Sequence, residues 1–231
     1  MKRILTITSL NFFISGGLTL IIPLLLLERN LDLVEISLVL SILPLVFLIV
    51  RLLISLIADS RGWNRFYLLL NWPGSVLSIL IYLMATSPSF FLFGKIFEAI
   101  KESSYWAVNR TAIFSLSPNR EVAEATKNTA IIFLSTAFGS AIAGLTLAYF
   151  GFPLTLGLFT VVALIIAVPA VLLWKNVNNH FKIKKSDARQ IIDLKSYDKR
   201  FWLISITLLF FSLAFYPLLN LYLFQFSWLN N

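Results

Sequence analysis

The sequence contains no cysteine and only one histidine, His180. Without cysteine there can be no disulfide, no thiol catalysis and no thiolate metal site. The sequence motifs of P-loops, dinucleotide-binding sites, paired metal ligands and serine nucleophile elbows are also missing from the chain. We therefore predict no catalytic residues, no metal site and no cofactor, and an enzyme is the function class that the sequence favours least.

Charged residues are scarce too, at 13% of the 231 residues, whereas 58% are hydrophobic. A soluble domain is roughly half apolar and about a quarter charged, so the polar residues of this chain are too few to cover a globular surface. The mean hydropathy of +0.85 agrees, and we expect the bilayer to be the solvent. We attribute the net charge of +8 to positive cytoplasmic loops rather than to nucleic-acid binding.

Long apolar runs recur along the whole chain, and a helix needs about 20 such residues to cross the hydrocarbon core. Lys2 and Arg3 precede the first run, as in a signal peptide, but the run is too long for one and no small-residue cleavage site follows it. The sequence therefore predicts an all-α membrane protein, a polytopic helical bundle. Its predicted spans are residues 4–27, 33–58, 66–85, 89–116, 125–150, 153–174 and 201–225.

The connections between the spans are short except for residues 175–200, in which basic residues outnumber acidic ones. This excess predicts a cytoplasmic segment, and with it a multi-pass protein of the cell membrane whose N-terminus is cytoplasmic. Residues 1–174 are then a six-helix bundle, residues 175–200 a basic cytoplasmic linker and residues 201–231 a seventh helix. We interpret the linker as solvated chain with an interfacial helix; an anionic-lipid or regulatory site is the alternative.

The fourth span is unusual because ionisable and polar residues recur along it. At about 100° per residue, one face of this helix carries Lys95, Glu98, Glu102, Tyr105, Trp106 and Asn109. Lys101 and Arg110 flank that face on opposite sides. Lys95 and Glu98 have the spacing of an ion pair, and so do Glu98 and Lys101. Arg51 on the second span is a further candidate partner.

A charge at the centre of a spanning helix costs roughly 2.5–3.5 kcal/mol, so this stripe must face other helices or an aqueous path. One interpretation is a structural ion-pair network that only holds helices together. The other, which we favour, is a substrate or proton site. Glu102 lies nearest to the bilayer centre and is our first candidate for proton exchange.

Two milder patterns concern the first and fifth spans. On the first, polar residues recur at intervals of three or four residues, namely Thr8, Asn11, Ser15 and Thr19. Either interhelical hydrogen bonding or the lining of a cavity would account for them. On the fifth, two ridges of small residues favour close helix packing. These ridges are Ser135, Gly139 and Ala143, and Ser140, Gly144 and Ala148.

The segment 55–65 places fixed charges in a short turn between two membrane-length runs. It resembles the loop between helices two and three of the major facilitator superfamily. Asp59, Gly62 and Arg65 fall on the acid, the second glycine and the last basic position of the family pattern. Arg61 lies one residue after the position where that pattern has its first basic residue. The run 93–100 on the fourth span is also similar to the family, with Lys95 where arginine is usual.

The resemblance implies one six-helix half of a transporter plus one further transmembrane helix. It also implies site residues. The elements of a cytoplasmic gate would be Asp59, Gly62, Arg61 and Arg65. The cavity candidates by position are Asn11, Arg51, Glu98 and Glu102, and the stripe on the fourth span adds Lys95, Lys101, Tyr105 and Asn109.

The implied function is that of a secondary active transporter, which moves a small solute through the bilayer by alternating access with ion or proton coupling. Members of the family usually have two six-helix halves, so we expect this chain to be truncated, with its C-terminal half missing. A non-transporting remnant is one alternative. A seven-helix receptor or light-driven pump is another, although the span 201–225 has no lysine for a retinal Schiff base.

The class of the solute stays open at this point. Arg51 and Lys95 would suit an anion, whereas Glu98 and Glu102 would suit a cation or protons. The many aromatic residues, 15% of the chain, would suit a hydrophobic compound.

Overall fold

The computed structural model describes residues 1–61, 63–117 and 119–177, together with the isolated positions 203, 206 and 207. Within these residues the chain is helical and contains no strand. The helices are α1, Lys2–Glu28; α2, Leu33–Arg61; α3, Asn64–Met84; α4, Pro88–Leu116; and the run Glu121–Val177, which Gly151 divides into α5 (121–150) and α6 (152–177). The first six predicted spans are confirmed as helices to within a few residues at each end.

The predicted linker and the seventh helix fall outside the described residues, apart from three isolated positions and the start of the linker at residues 175–177. The division of the chain into three units therefore stays a prediction. The second span was predicted to end at residue 58, but α2 continues to Arg61, so the turn before α3 is shorter than expected.

Short turns with identifiable chemistry connect the helices. At the start of α2, Asp32 Oδ1 accepts a hydrogen bond from the Glu35 N–H at 2.7 Å, and Glu35 Oε2 accepts one from the Asp32 N–H at 3.1 Å, which is a reciprocal capping box. Gly151 has φ 71° and ψ −179°, a conformation open essentially to glycine alone. The short connection between the fifth and sixth predicted spans therefore depends on glycine at position 151.

Four described helical stretches are long and apolar enough to cross a membrane, namely Lys2–Glu28, Leu33–Ser55, Asn64–Met84 and Glu121–Lys175. The last has 55 residues, which suffices for two crossings of about 20 residues each on either side of Gly151. α4 is not among them, and it is the helix that carries the ionisable stripe. Arg3 Nη1 donates to the Leu172 carbonyl at 2.8 Å, so the start of α1 and the end of α6 lie on the same side of the bundle.

The helices differ in how far the bundle encloses them. α1 packs against the run Glu121–Val177, α2 packs against α4, and α3 packs against α4 and the same run. In their most apolar parts, 61% of the residues of α1 are buried but only 11% of those of α2. Polar side chains on α1 therefore face protein, whereas most of α2 is left for lipid or for another part of a larger assembly.

α1 and α5 approach each other very closely. A Cβ at Gly16 would overlap the Thr136 carbonyl, and one at Gly139 would overlap the Phe13 carbonyl. Ser140 Oγ donates to the Gly16 carbonyl at 2.8 Å across this contact. The small-residue ridges of the fifth span are thus confirmed as a packing surface at Gly139 and Ser140, whereas Ala148 at the end of the second ridge is exposed.

Candidate functional site

The centre of the polar region is a partly buried cluster of Ser15 on α1 with Lys101 and Glu102 on α4. Lys101 Nζ lies 2.8 Å from Glu102 Oε1 and donates to Ser15 Oγ at 2.6 Å. The Ser15 hydroxyl also hydrogen-bonds to Glu102 Oε1. The Lys101 side chain is fully buried, while 12% of the Glu102 side chain is exposed. The carboxylate is therefore more exposed than the ammonium that it pairs with.

Lys101 reaches Ser15 because α3 offers a glycine at the crossing. A Cβ at Gly74 would lie 3.1 Å from Lys101 Cβ and 3.3 Å from the Phe97 carbonyl. The two helices therefore lie close together at this point, and the first carbon of the Lys101 side chain packs directly on α3. A larger residue at position 74 would push α3 away from the cluster.

Two buried asparagines lie beside this cluster. Asn71 Nδ2 donates to Asn11 Oδ1 at 3.1 Å and to the Lys101 carbonyl at 3.3 Å. Asn71 is the last residue of a π-helical turn, Tyr67–Asn71, which the sequence analysis did not predict, and such turns are frequent at functional sites. Among the described residues, Asn11 Nδ2 and Asn71 Oδ1 have no hydrogen-bond partner, so this interface keeps one donor group and one acceptor free.

A second buried ion pair lies nearer the start of α4. Lys95 Nζ is 2.9 Å from Glu98 Oε2, and both residues are 5% exposed. Tyr82 on α3 donates its hydroxyl to the same oxygen at 2.6 Å. The Tyr82 ring lies where a side chain at Gly94 would be, so the glycine makes room for it. The predicted Lys95–Glu98 pair is thus confirmed.

Glu98 and Lys101 also have the spacing of an ion pair, but they form no direct ion pair among the described residues. Among the residues that the structure describes, the ion-pair partner of Lys101 is Glu102. Glu98 is already held by Lys95 and Tyr82. The ionisable stripe therefore splits into two neutral pairs, one held by Tyr82 on α3 and one held by Ser15 on α1.

Two tyrosines anchor the polar residues further along α4. The Tyr105 hydroxyl is 2.8 Å from Thr8 Oγ1, which donates to Asn128 Oδ1 on α5 at 2.9 Å. Tyr67 on α3 donates to Asn109 Oδ1 at 3.3 Å. Interhelical hydrogen bonding, one of the two roles considered for the α1 stripe, thus occurs at Thr8 as it does at Asn11 and Ser15.

Arg51 does not join these clusters. It is exposed, its guanidinium lies 5.6 Å from the centre of the Phe47 ring, and it forms no ion pair among the described residues. Arg51 as a partner of the α4 carboxylates is therefore a wrong prediction. Arg110 is also exposed and without an ion pair in this part of the chain.

The predicted gate residues are described only in part. Arg65 is exposed near the start of α3, while Trp63 and Asn64 beside it are buried. Gly62 and the side chains of Asp59 and Arg61 lie outside the described residues. The role of Asp59, Arg61, Gly62 and Arg65 in a cytoplasmic gate therefore stays a prediction.

Sequence reasoning missed three residues that complete the clusters, namely Asn71, Tyr82 and Asn128. Each is a polar side chain within or beside an otherwise apolar run, and that is the signal that could have found them. Their partners were not predictable, since each bonds to a different helix.

The comparison with known proteins agrees with this architecture. The family model described as Major Facilitator Superfamily matches residues 4–229. No curated protein matches the chain. The match covers nearly the whole sequence, the described residues are helical with several membrane-length helices, and members of this family are transporters rather than enzymes. The chain therefore belongs to the major facilitator superfamily and is a multi-pass, all-α membrane protein of a transporter family.

Proposed function

We propose that this protein is a secondary active transporter that moves a small solute across the cell membrane by alternating access, with proton coupling at Glu102. The observation that carries the proposal is the cluster of Ser15, Lys101 and Glu102, which joins α1 to α4 inside the bundle. A carboxylate in this position can exchange a proton and change the contact between two helices in the same event.

The coupling follows from charge balance. With Glu102 ionised, the fully buried Lys101 ammonium has a counter-charge and a hydroxyl acceptor. When Glu102 takes up a proton, the ammonium loses its counter-charge, and a buried unpaired charge is strongly unfavourable. The two protonation states therefore favour different packing of α1 against α4, which is the differential interaction that a conformational switch requires.

The six described helices would act as one half of the transporter, against a second six-helix half to which residues 201–231 would contribute the first helix. The mostly exposed surface of α2 supports this arrangement, since it leaves a large face for a partner. Asp59, Gly62, Arg61 and Arg65 would form the cytoplasmic gate between the halves. The basic segment 175–200 supports a cytoplasmic N-terminus.

Proteoliposomes test this function directly. The chain is reconstituted together with the proposed second half, a proton gradient is imposed, and internal pH is followed while a panel of anionic, cationic and neutral solutes is added. We expect one solute class to move protons with wild-type protein, and Glu102→Gln to abolish that proton movement. Glu121→Gln, which changes an exposed carboxylate at the start of α5, is the matched control and should transport normally.

Folding of Glu102→Gln is checked by its elution as a single species in detergent. The double variant Lys101→Met/Glu102→Gln is a second uncoupled form, and it leaves no unpaired charge at this pair. Proton movement that is unchanged in both variants would disprove coupling at Glu102. If no solute in the panel moved with wild-type protein, the transport function itself would be rejected.

A further inference from the structure

Among the described residues, the ionisable side chains of α4 and of the part of α2 around Arg51 do not balance in charge. Lys95 pairs with Glu98, and Lys101 pairs with Glu102. Arg51 and Arg110 are left over, and neither forms an ion pair among the described residues. An uncompensated cation at membrane depth is costly and usually marks a functional site, so these two arginines require an explanation that the two neutral pairs do not give.

The two arginines face the same region of the bundle surface. Ser103 Oγ on α4 donates to the Phe47 carbonyl on α2 at 2.9 Å, which fixes the register of these helices. Arg51 follows Phe47 by one helical turn, and Arg110 follows Ser103 by about two turns. Both side chains are exposed, and the positive charge of Arg110 acts on Arg51 through Coulomb repulsion.

Two like charges held near each other repel, and an anion between them turns that repulsion into attraction. The guanidinium group is well suited to that role, because its fork of N–H donors matches the oxygens of phosphate, sulfate and carboxylate groups. Much of the remaining surface of α2 is apolar, with Leu48, Leu52 and Leu53 exposed around Arg51. Among the described residues, no carboxylate forms an ion pair with Arg51 in these surroundings.

We propose that Arg51 and Arg110 form a binding site for an oxyanion group, such as phosphate, sulfate or carboxylate, between α2 and α4. Given the transport function proposed above, on which this assignment of the solute rests, the transported molecule carries such a group. The sequence analysis had named Arg51 and Lys95 as the residues that would suit an anion. Arg110 takes the place of Lys95 in this proposal, since Lys95 is already neutralised by Glu98.

Binding is measured on the full chain in a neutral, non-ionic detergent, by thermal unfolding followed through the fluorescence of its six tryptophans. Inorganic phosphate and sodium sulfate are titrated at constant ionic strength, with chloride as the reference salt. We expect saturable stabilisation by several degrees in wild-type protein. Arg51→Gln and Arg110→Gln should each lose it, and Arg51→Lys should weaken it. Arg120→Gln, at an exposed arginine in the turn before α5, should keep it.

Two further measurements distinguish the sources of the anion and test the charge argument. Phosphatidylglycerol added to the micelles replaces the soluble anions as ligand; stabilisation by this lipid alone assigns the site to a lipid headgroup. Without any anion, Arg51→Gln and Arg110→Gln should be at least as stable as wild type, because the repulsion is removed. Loss of stability there would show that the arginines pair within the chain and would overturn the proposal.

Absence of stabilisation by phosphate, sulfate and phosphatidylglycerol would also overturn it, as would an unchanged response in both glutamine variants. The assay needs neither a membrane nor a gradient. A failure of anion binding is therefore distinguishable from a failure of proton-coupled transport, which is tested at Glu102 in proteoliposomes.

Discussion

Lys101 Nζ lies 2.8 Å from the carboxylate of Glu102, its immediate neighbour in the sequence. Adjacent residues on a helix point in different directions and do not normally pair, whereas residues three or four apart do. These two side chains meet because both reach Ser15 on α1. The pair is thus a product of helix packing, and it should respond to substitution as a contact between helices.

The Lys101–Glu102 pair should show an asymmetric response to loss of one partner. Glu102→Gln leaves a fully buried ammonium without a counter-charge and should destabilise by about 3–5 kcal/mol. Lys101→Met should cost less, because the Glu102 carboxylate that it leaves unpaired is partly exposed. The double variant should recover most of the loss, as a coupled pair does. Thermal unfolding in detergent measures all three, and equal losses in the two single variants would contradict this account.

Tyr82 should contribute to stability through its hydrogen bond to Glu98 at 2.6 Å. Hydrogen bonds to charged groups contribute about 1.5–3 kcal/mol, so Tyr82→Phe should lower the unfolding free energy by that amount. Tyr149→Phe is the control, since Tyr149 is 79% exposed, and its effect should stay within about 0.5 kcal/mol. Similar behaviour of the two variants would mean that the Tyr82 hydroxyl contributes nothing to the folded state.

The close contact between α1 and α5 should not tolerate a single methyl group. Gly139→Ala would place a carbon on the Phe13 carbonyl, and overpacking of this kind costs about 1–3 kcal/mol. Gly157→Ala is the matched control, because a Cβ there meets nothing within 4 Å; it should be neutral or stabilising by up to about 1 kcal/mol. Denaturation in mixed micelles gives both values, and a harmless Gly139→Ala would place the helices further apart than described.

The orientation of the chain can be measured by single-cysteine labelling, because the sequence has no cysteine of its own. Glu28→Cys introduces a thiol at the exposed last residue of α1, and Asn119→Cys introduces one in the exposed turn before α5, at the opposite ends of the predicted spans. With a cytoplasmic N-terminus, a membrane-impermeant maleimide should label position 28 in intact cells and position 119 only after permeabilisation. The reverse pattern would show that the N-terminus is outside.

The positions of the six described helices were predictable from the sequence alone. An apolar run of about 20 residues is a local property, and the bilayer requires its backbone groups to bond within the segment. The turn at Gly151 was predictable for the same reason, since it depends on the residue itself. The small-residue ridge that contains Gly139 indicated close packing, although not that its neighbour would be α1.

The sequence also determined that α4 must turn its ionisable residues inward, because hydrocarbon does not solvate them. Only the tertiary structure decided which groups they meet. Ser15 lies 87 residues from Glu102 in the sequence, and Asn71 lies 30 residues from Lys101. Ion pairs depend on distances of a few ångströms, and those distances are set by how α1 and α3 cross α4 rather than by spacing along α4. For that reason Lys101 pairs with Glu102 instead of Glu98, and Arg51 and Arg110 remain without a carboxylate among the described residues.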